Sequence, residues 1–409
     1  MNILIIASLW PEPNSSAAGR RMVSLIELFH KQGWAISYAC TAAESEFCYP
    51  LDLLGIDLHT VKINDSNFDL FIKELAPDIV LFDRFMVEEQ FSWRVGEQCP
   101  EALTLLETSD LHCLRKAREQ AVKAGKEFTK EYLINDAAYR EVASIQRTDL
   151  SLIISSFEMD LLATVFKVDR ALLHYLPFIV QPSELSKVKA KWPAFQQRDG
   201  FISIGNFKHA PNWDSVQYLK NKIWPLIRQQ LPTAVLSIYG AYPPSKALQL
   251  NKPQDGFYVK GRADDAQQVM LKAKVCLAPL RFGAGLKGKL LEAMECGTPS
   301  VTTHIGAEGM HANLAWNGVV ADEPQAIADA AVEIYNNETL WLAYQKNGLA
   351  LLEASFSPDE FESVFISRIK QLKDNLKAHR QRNFQGAMLR HHTMRSTKYM
   401  SLWIEEKNK

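Results

Sequence analysis

The sequence of 409 residues contains no apolar run of 18 residues or more, so it predicts no transmembrane helix. Its six cysteines form no C-x-x-C pair and no metal-ligand spacing, which favours buried, reduced thiols and a cytoplasmic location. The formal net charge is only -1, whereas nucleic-acid-binding proteins usually carry a strongly basic surface. We therefore expect no nucleic-acid partner, no metal site and no bound cofactor.

The rest of the composition is that of a globular protein with more than one domain. Apolar residues make up 47% of the chain and charged residues 23%, so sizeable hydrophobic cores are expected. A chain of this length usually folds as two or three domains. Strand, loop and helix patterns alternate from the first residue onward, which predicts an α/β protein with mostly parallel sheets.

This alternation occurs twice, on either side of a polar segment that contains several prolines. In the first half we predict strands at 3–7, 34–40, 78–82, 102–106 and 150–154, and helices at 17–31, 111–126 and 129–147. In the second half we predict strands at 201–205, 234–239, 275–280 and 300–303, and helices at 212–230, 264–273, 324–336, 338–353 and 358–377. The division that follows is an N-terminal domain at 1–178, a linker at 179–199, a C-terminal domain at 200–371 and a basic tail at 372–409.

The most informative segment runs from residue 275 to residue 303 and combines a strand, a glycine loop, a helix and a second strand. Gly283, Gly285 and Gly288 allow a tight turn and a close approach of the backbone to a ligand. The following helix presents N–H groups at its start, and Lys287 adds a positive charge beside them. These features predict an anion site, most simply for a phosphate or a diphosphate.

The stretch Pro279-Leu-Arg-Phe-Gly-Ala-Gly-Leu-Lys-Gly-Lys-Leu-Leu-Glu-Ala-Met294 resembles the nucleotide-sugar site of the GT-B glycosyltransferases, in particular the retaining group 1, family-four type. The segment Pro211-Asn-Trp-Asp-Ser215, which follows Gly205-Asn-Phe-Lys208, is also similar to members of this group. The resemblance covers nearly the whole chain and is strongest from 201 to 309. It implies a GT-B fold, in which two Rossmann-like, doubly wound parallel-sheet domains face each other across a cleft.

The resemblance also implies an enzymatic function. Such enzymes transfer a sugar from a nucleotide diphosphate sugar to a hydroxyl group of a carbohydrate or lipid-linked acceptor, here in polysaccharide or glycoconjugate synthesis. Retention of the anomeric configuration without a required metal is implied as well, and the sequence contains no Asp-x-Asp pair. The alternatives are a nucleotide-sugar epimerase, a relative that binds nucleotides without catalysis, and a non-enzymatic scaffold.

On the donor side, the resemblance implies that Glu292 accepts hydrogen bonds from the ribose hydroxyls. Lys287 and the amides of Gly283 and Gly285 would then stabilise the leaving diphosphate. The usual family motif has another glutamate eight positions before Glu292, where this chain has Ala284. This departure removes a side-chain contact to the donor sugar and is the feature that favours the non-transferring alternatives. Some members of the group carry the same glycine-lysine variant, so sugar transfer remains the favoured interpretation. A solvated helix glutamate is the other interpretation of Glu292.

Further donor-side candidates lie outside this motif. Four residues are candidates to neutralise or orient the diphosphate: Lys208, His209, Asn212 and Arg281. Asn212 is equally typical of a helix N-cap. Gly19, in the small-residue loop after the first strand, either lets the backbone approach the donor phosphates or is an ordinary glycine. For Lys289, a phosphate contact and a solvated position on the helix are equally consistent with the sequence.

The N-terminal domain is expected to hold the acceptor. The segment Glu107-Thr-Ser-Asp-Leu-His112 follows a predicted strand, and the carboxyl ends of parallel strands line the ligand cleft. His112, together with Asp110, is a candidate to orient or deprotonate the acceptor hydroxyl. Alternatively, Asp110 caps the next helix and His112 packs in its first turn.

Residues 372–409 are markedly basic, with nine Lys or Arg residues and three Asp or Glu residues. One interpretation is a peripheral contact with acidic lipids at the inner face of a membrane. The other is a helix that packs back onto the N-terminal domain, which Tyr399, Trp403 and Ile404 favour.

Overall fold

The computed structural model describes residues 1–409 and begins with a sheet of seven strands. These strands are β1 (Asn2–Ala7), β2 (Ala35–Cys40), β3 (Asp57–Thr60), β4 (Ile79–Asp83), β5 (Leu103–Glu107), β6 (Leu150–Ile153) and β7 (Leu173–Tyr175). All neighbours pair in parallel, in the order β3-β2-β1-β4-β5-β6-β7. β1 and β4 are buried on both faces, as continuous apolar strands of a parallel sheet must be.

A second parallel sheet follows, with six strands. They are β8 (Phe201–Ile204), β9 (Leu236–Tyr239), β10 (Phe257–Gly261), β11 (Val275–Ala278), β12 (Ser300–Thr302) and β13 (Gly318–Val320), in the order β10-β9-β8-β11-β12-β13. The predicted fold class, two doubly wound parallel sheets, is confirmed. In each sheet the strand order reverses beside the first strand, between β1 and β4 and between β8 and β11. Ligands bind at such switch points, outside the carboxyl ends of the strands.

Helices cover both faces of the sheets. The N-terminal half contains α1 (Ala17–Lys31), α2 (Asn67–Leu75), α3 (Phe85–Gln98), α4 (His112–Lys123), α5 (Asp136–Arg147), α6 (Ser156–Thr164) and α7 (Pro182–Lys189). The remainder contains α8 (Ala210–Tyr218), α9 (Trp224–Gln230), α10 (Ser245–Leu248), α11 (Ala266–Lys272), α12 (Gly288–Glu295), α13 (His304–Ala307), α14 (Pro324–Asn336), α15 (Glu338–Ser355), α16 (Pro358–Asp374), α17 (Leu376–Arg382) and α18 (Phe384–Lys407). None of them combines the length and the apolar character that a membrane-spanning segment needs.

Two predicted helices have different bounds in the structure. The helix predicted at 129–147 begins only at Asp136, because the Asn135 side chain accepts the Ala138 N–H at 3.0 Å and so caps α5 there. The helix predicted at 212–230 begins at Ala210 and continues through a π-helical turn at Leu219–Ile223. The start at Ala210 places Asn212 inside the helix, so its interpretation as an N-cap is wrong.

The last three helices return to the N-terminal domain. Phe365, Ile366 and Ile369 of α16 are buried in the same hydrophobic cluster as β1 and α1, whereas we predicted a C-terminal domain that extends to residue 371. The chain therefore crosses back at α16, because that helix carries an apolar stripe which the N-terminal sheet covers. α18 then lies along α3 and α5.

Candidate active site

The glycine loop lies between the two sheets, after the carboxyl end of β11. Gly285 has a φ of +62°, and a Cβ atom there would lie 2.8 Å from the Cβ atom of Asp110 in the N-terminal domain. Gly288 makes a similarly close approach to Ala17, at 2.7 Å. Glycine at these two positions therefore allows the domains to touch, in addition to forming the turn.

Glu158 of α6 binds the loop from the N-terminal side. One carboxylate oxygen accepts the Gly285 N–H at 2.7 Å and the Leu111 N–H at 2.9 Å, while the other oxygen is buried and has no partner. Burial raises the pKa of Glu158, since the charged form loses its water. The Gly285 amide, which we predicted to face a diphosphate, is thus occupied by a protein carboxylate.

Arg118 of α4 makes a second link between the domains. Its guanidinium donates to the Gly283 carbonyl at 2.9 Å and forms a bidentate pair with Glu308 at 2.8 and 2.7 Å. Ala284, between the two loop glycines, is buried in the hydrophobic cluster of the N-terminal domain. A glutamate at position 284 would lie against this apolar surface. The alanine found here packs into the surface instead, so the departure from the usual motif leaves no unfilled polar site.

Lys287 lies just before α12 and faces acidic groups. Its Nζ donates to the Gly285 carbonyl at 2.7 Å, and burial lowers its pKa, although Glu308 and Glu158 oppose that effect. The loop backbone therefore holds the Lys287 side chain in the region where the domains meet. The structure places it in the cleft, as predicted, but directs it towards the N-terminal side.

Lys289 is the lysine that faces the end of β8. Its Nζ donates to the Asn212 side-chain oxygen at 2.8 Å, and the Asn212 amide in turn donates to the Asn206 carbonyl at 3.0 Å. A Cβ atom on Gly205 would lie only 2.8 Å from the Lys289 Nζ. Burial lowers the pKa of Lys289 to about 8, so the ammonium form still predominates at neutral pH.

Glu292 shares its side of α12 with Lys289. Residues three apart on a helix lie about 60° from each other, whereas Lys287 precedes the helix with an extended backbone. Burial raises the pKa of Glu292 to about 7, and the neighbouring Arg20 opposes this rise. Arg20 crosses the cleft from α1 and pairs with Glu295 at 2.8 and 2.5 Å. Helical spacing was the signal in the sequence that links Lys289, rather than Lys287, with Glu292.

The acceptor-side candidates form one cluster. Burial favours the neutral form of Asp110, but Arg115 and His112 outweigh it and lower the pKa of Asp110 to about 2. Burial lowers the pKa of both His112 and His209 to about 4, so each imidazole is neutral at pH 7 and able to accept a proton. The His112 Nε2 lies 3.5 Å from Asp110, which His209 also faces from the opposite domain.

Three predicted site residues have other partners. Arg281 pairs with Asp214 in an exposed position, and Lys208 lies 3.6 Å above the Tyr242 ring. The Gly19 amide donates to the Ser16 side chain at 3.0 Å, which is the N-cap contact of α1. A Cβ atom at Gly19 would lie 2.5 Å from the carbonyl oxygen of Glu12, so the glycine is required there by the packing of the preceding loop.

The cleft brings together a lysine, a helix N-terminus, carboxylates and neutral imidazoles. No group of three or more His, Cys, Asp or Glu side chains in the chain is arranged to hold a metal ion.

Comparison with known families identifies the C-terminal domain. Residues 198–337 match the family of group 1 glycosyl transferases, which confirms the predicted glycosyltransferase domain. A search of curated proteins gave no match.

Solved structures share the fold over almost the whole chain. Sucrose-phosphate synthase from Thermosynechococcus elongatus is similar with a TM-score of 0.65 and 15% identity, over 91% of this chain and 99% of that one. TarM from S. aureus, in complex with UDP, gives a TM-score of 0.69 at 9% identity, over 90% of this chain and 100% of that one. HepE from Anabaena, also solved with UDP, gives 0.63 at 11% identity, over 92% and 100%. At these identities the similarity establishes the two-domain fold.

Proposed function

We propose that this chain, which contains a group 1 glycosyltransferase domain within a GT-B fold, is an enzyme that transfers a sugar from a nucleotide diphosphate sugar to a hydroxyl group of a carbohydrate or lipid-linked acceptor. The proposal has three further parts. The reaction retains the anomeric configuration, it serves polysaccharide or glycoconjugate synthesis, and the protein works in the cytoplasm with a peripheral contact to the membrane. UDP in the structures of TarM and HepE makes uridine the first base to test.

One observation supports the proposal most strongly. At the switch point of the second sheet, α12 carries Lys289 and Glu292, and Asn212 of α8 binds the Lys289 ammonium. The switch point of the first sheet faces this group across the cleft. The helix N-terminus and the lysine both favour an anion, and a carboxylate beside them suits neutral hydroxyl donors such as those of ribose. This arrangement fits a nucleoside diphosphate better than it fits a neutral ligand.

Lys289 would act during bond cleavage. As the bond between the sugar and the diphosphate breaks, negative charge develops on the departing oxygen, and a fixed cation stabilises that charge more than it stabilises the bound donor. Asn212 holds the Lys289 Nζ in place, so little reorganisation is required. His112 or His209, neutral and beside Asp110, would orient the acceptor hydroxyl by accepting its hydrogen bond.

The contacts between the domains support transfer over hydrolysis. Glu158, Arg118 and Arg20 each bind the opposite domain, so the closed cleft is held by polar links on several sides. Closure excludes bulk water, which would otherwise compete with the acceptor hydroxyl. Opening and closing these links would accompany each turnover.

Nucleotide diphosphate binding is expected to be strongest between about pH 7 and about pH 8. Glu292, with its pKa raised to about 7, becomes an anionic acceptor above that value, and Lys289, with its pKa lowered to about 8, loses its charge above that one. Calorimetric titration with UDP from about pH 6 to about pH 9 measures this profile. In Glu292→Gln, the affinity for UDP should depend less on pH on the acidic side of the profile, while the decline at alkaline pH remains. If the acidic side of the profile is the same as in the wild type, Glu292 is not part of the site.

The function is tested by incubating the protein with uridine, guanosine and adenosine diphosphate sugars, with and without hydroxyl acceptors. We expect nucleotide diphosphate release that depends on the acceptor, and the anomeric configuration of the product reports retention. Isomerisation of the donor without any acceptor would instead indicate an epimerase. Tight nucleotide binding without turnover on any acceptor would indicate a binding protein.

A further inference from the structure

The outer face of α18 exposes large apolar side chains to solvent. Phe384, Tyr399 and Trp403 are 75%, 65% and 59% exposed. The inner face of the same helix is buried at Gly386, Met394 and Ser401, where it packs on α5 and α3. The helix is thus well anchored on one side and presents an uncovered apolar surface on the other.

The exposed side chains form one continuous stripe. Its members recur at intervals of three or four residues, which places them on a single face of the helix: Phe384, Met388, His392, Arg395, Tyr399 and Trp403. The stripe combines aromatic, aliphatic and basic groups. Tryptophan and tyrosine are the residues that favour the boundary between lipid and water, because each ring has an apolar body and a polar edge.

The charge of this region is opposite to that of the rest of the protein. Residues 372–409 carry a net charge of +6, within a chain whose total is -1. Arg395 lies within the stripe, and the Lys407 ammonium lies 5.1 Å from the Trp403 ring centre. Basic groups beside exposed aromatic rings complement a surface of anionic headgroups above hydrocarbon.

We propose that this stripe, Phe384 to Trp403, docks the protein onto an anionic phospholipid bilayer. This docking specifies the surface that makes the peripheral membrane contact of the proposed function. It rests on that function only for its purpose, which is access to a lipid-linked acceptor. The aromatic rings enter the headgroup region, and the basic side chains bind lipid phosphates. No helix crosses the bilayer in this arrangement.

Polar contacts fix the position of α18 on the N-terminal domain. Near its C-terminal end, Glu405 accepts the Ser66 N–H at 3.0 Å, directly before α2 begins. Nearer the middle of the helix, the Lys398 ammonium pairs with Glu97, close to the end of α3, at 2.5 Å. These contacts hold the helix against the domain while the stripe remains exposed.

A second copy of the chain is the other conceivable occupant of this face. In a twofold dimer the same patch would meet itself, so the basic side chains of one copy, including Arg395 and Lys407, would lie against the basic patch of the other. Repulsion between these like charges disfavours that interface. An anionic membrane neutralises the same charges, so the charge pattern favours the membrane.

The test is co-sedimentation of the full chain with vesicles of equal parts phosphatidylglycerol and phosphatidylcholine, compared with phosphatidylcholine alone. We expect binding to the anionic vesicles that weakens at high salt. The double variants Tyr399→Ser/Trp403→Ser and Arg395→Glu/Lys407→Glu should each reduce the partition coefficient by about tenfold or more. The matched control is Leu248→Ser/Leu342→Ser, which removes two similarly exposed leucines from the C-terminal domain.

Equal binding to both vesicle types, or equal loss in the control variant, would overturn the proposal. Sedimentation velocity of the same proteins without lipid tests whether a second copy covers this face. A dimer that dissociates in the stripe variants would assign the face to a second copy. Circular dichroism establishes that each variant is folded. Vesicle binding requires no sugar transfer, so its failure would contradict the peripheral membrane contact and leave the proposed sugar transfer untouched. Failure of sugar transfer would likewise leave the docking proposal untouched.

Discussion

Lys289→Met is expected to lower kcat/KM for sugar transfer by about 10²–10³-fold, which corresponds to about 2.7–4 kcal/mol of transition-state stabilisation. The reason is that Lys289 is the cation beside Glu292 on α12, and its Nζ is held by Asn212 towards the end of β8. Methionine keeps most of the side-chain volume and removes the charge. Since a half-buried ammonium costs desolvation free energy, its removal should leave the fold intact.

Initial rates of nucleotide diphosphate release, with saturating acceptor, measure this effect. Lys272→Met is the matched control, because Lys272 is an exposed lysine on the neighbouring α11 and should be dispensable. Thermal unfolding of both variants verifies that the fold is retained. Full activity of Lys289→Met would show that the charge on the leaving group is stabilised elsewhere, with Lys287 as the next residue to test.

Gly285→Ala should slow transfer by a factor of about 5–150, because it disfavours the closed arrangement of the domains by about 1–3 kcal/mol. The new methyl group would lie 2.8 Å from the Asp110 Cβ and 3.1 Å from the Ser109 carbonyl oxygen. Both contacts are across the cleft, so opening the domains relieves them. Small-angle scattering should accordingly show a larger radius of gyration for the variant.

Gly125→Ala is a close control for this experiment. Gly125 has a φ of +63°, almost the same as that of Gly285, but a Cβ atom there would have nothing within 4 Å. Both variants bear the cost of a left-handed alanine, about 1–2 kcal/mol, which chemical denaturation measures. Only Gly285→Ala should also open the cleft and slow transfer. Equal rates in the two variants would mean that the close approach at Gly285 is not part of the active arrangement.

The glycine loop shows how far local sequence reasoning extends. A short apolar strand, closely spaced glycines and a helix with period-3.6 leucines are local features, and they predicted β11, the loop and α12 in the right order. The partners of the loop are not local. Glu158 and Arg118 lie more than a hundred residues earlier in the chain, and nothing in their own segments indicates that they bind the loop backbone.

The two lysines near the start of α12 show the same limit for individual side chains. Helical spacing places Lys289 and Glu292 on one side of a helix, but spacing alone does not tell which side of a helix faces a cleft. That depends on how α12 rotates against the two domains. The structure directs Lys287 to the acids near the interface and Lys289 to Asn212, an arrangement that reverses the weight we gave the two residues from the sequence.

By itself, the sequence determined the α/β class, the two successive strand-and-helix patterns and the order of strand, glycine loop and helix at 275–294, because each follows from the order and spacing of neighbouring residues. Only the tertiary structure decided which lysine accompanies Glu292, that Arg281 and Lys208 have other partners, and that α16–α18 belong to the N-terminal domain. These outcomes depend on burial and charge pairing between segments that are far apart in the chain, where local patterns contain no information on distance.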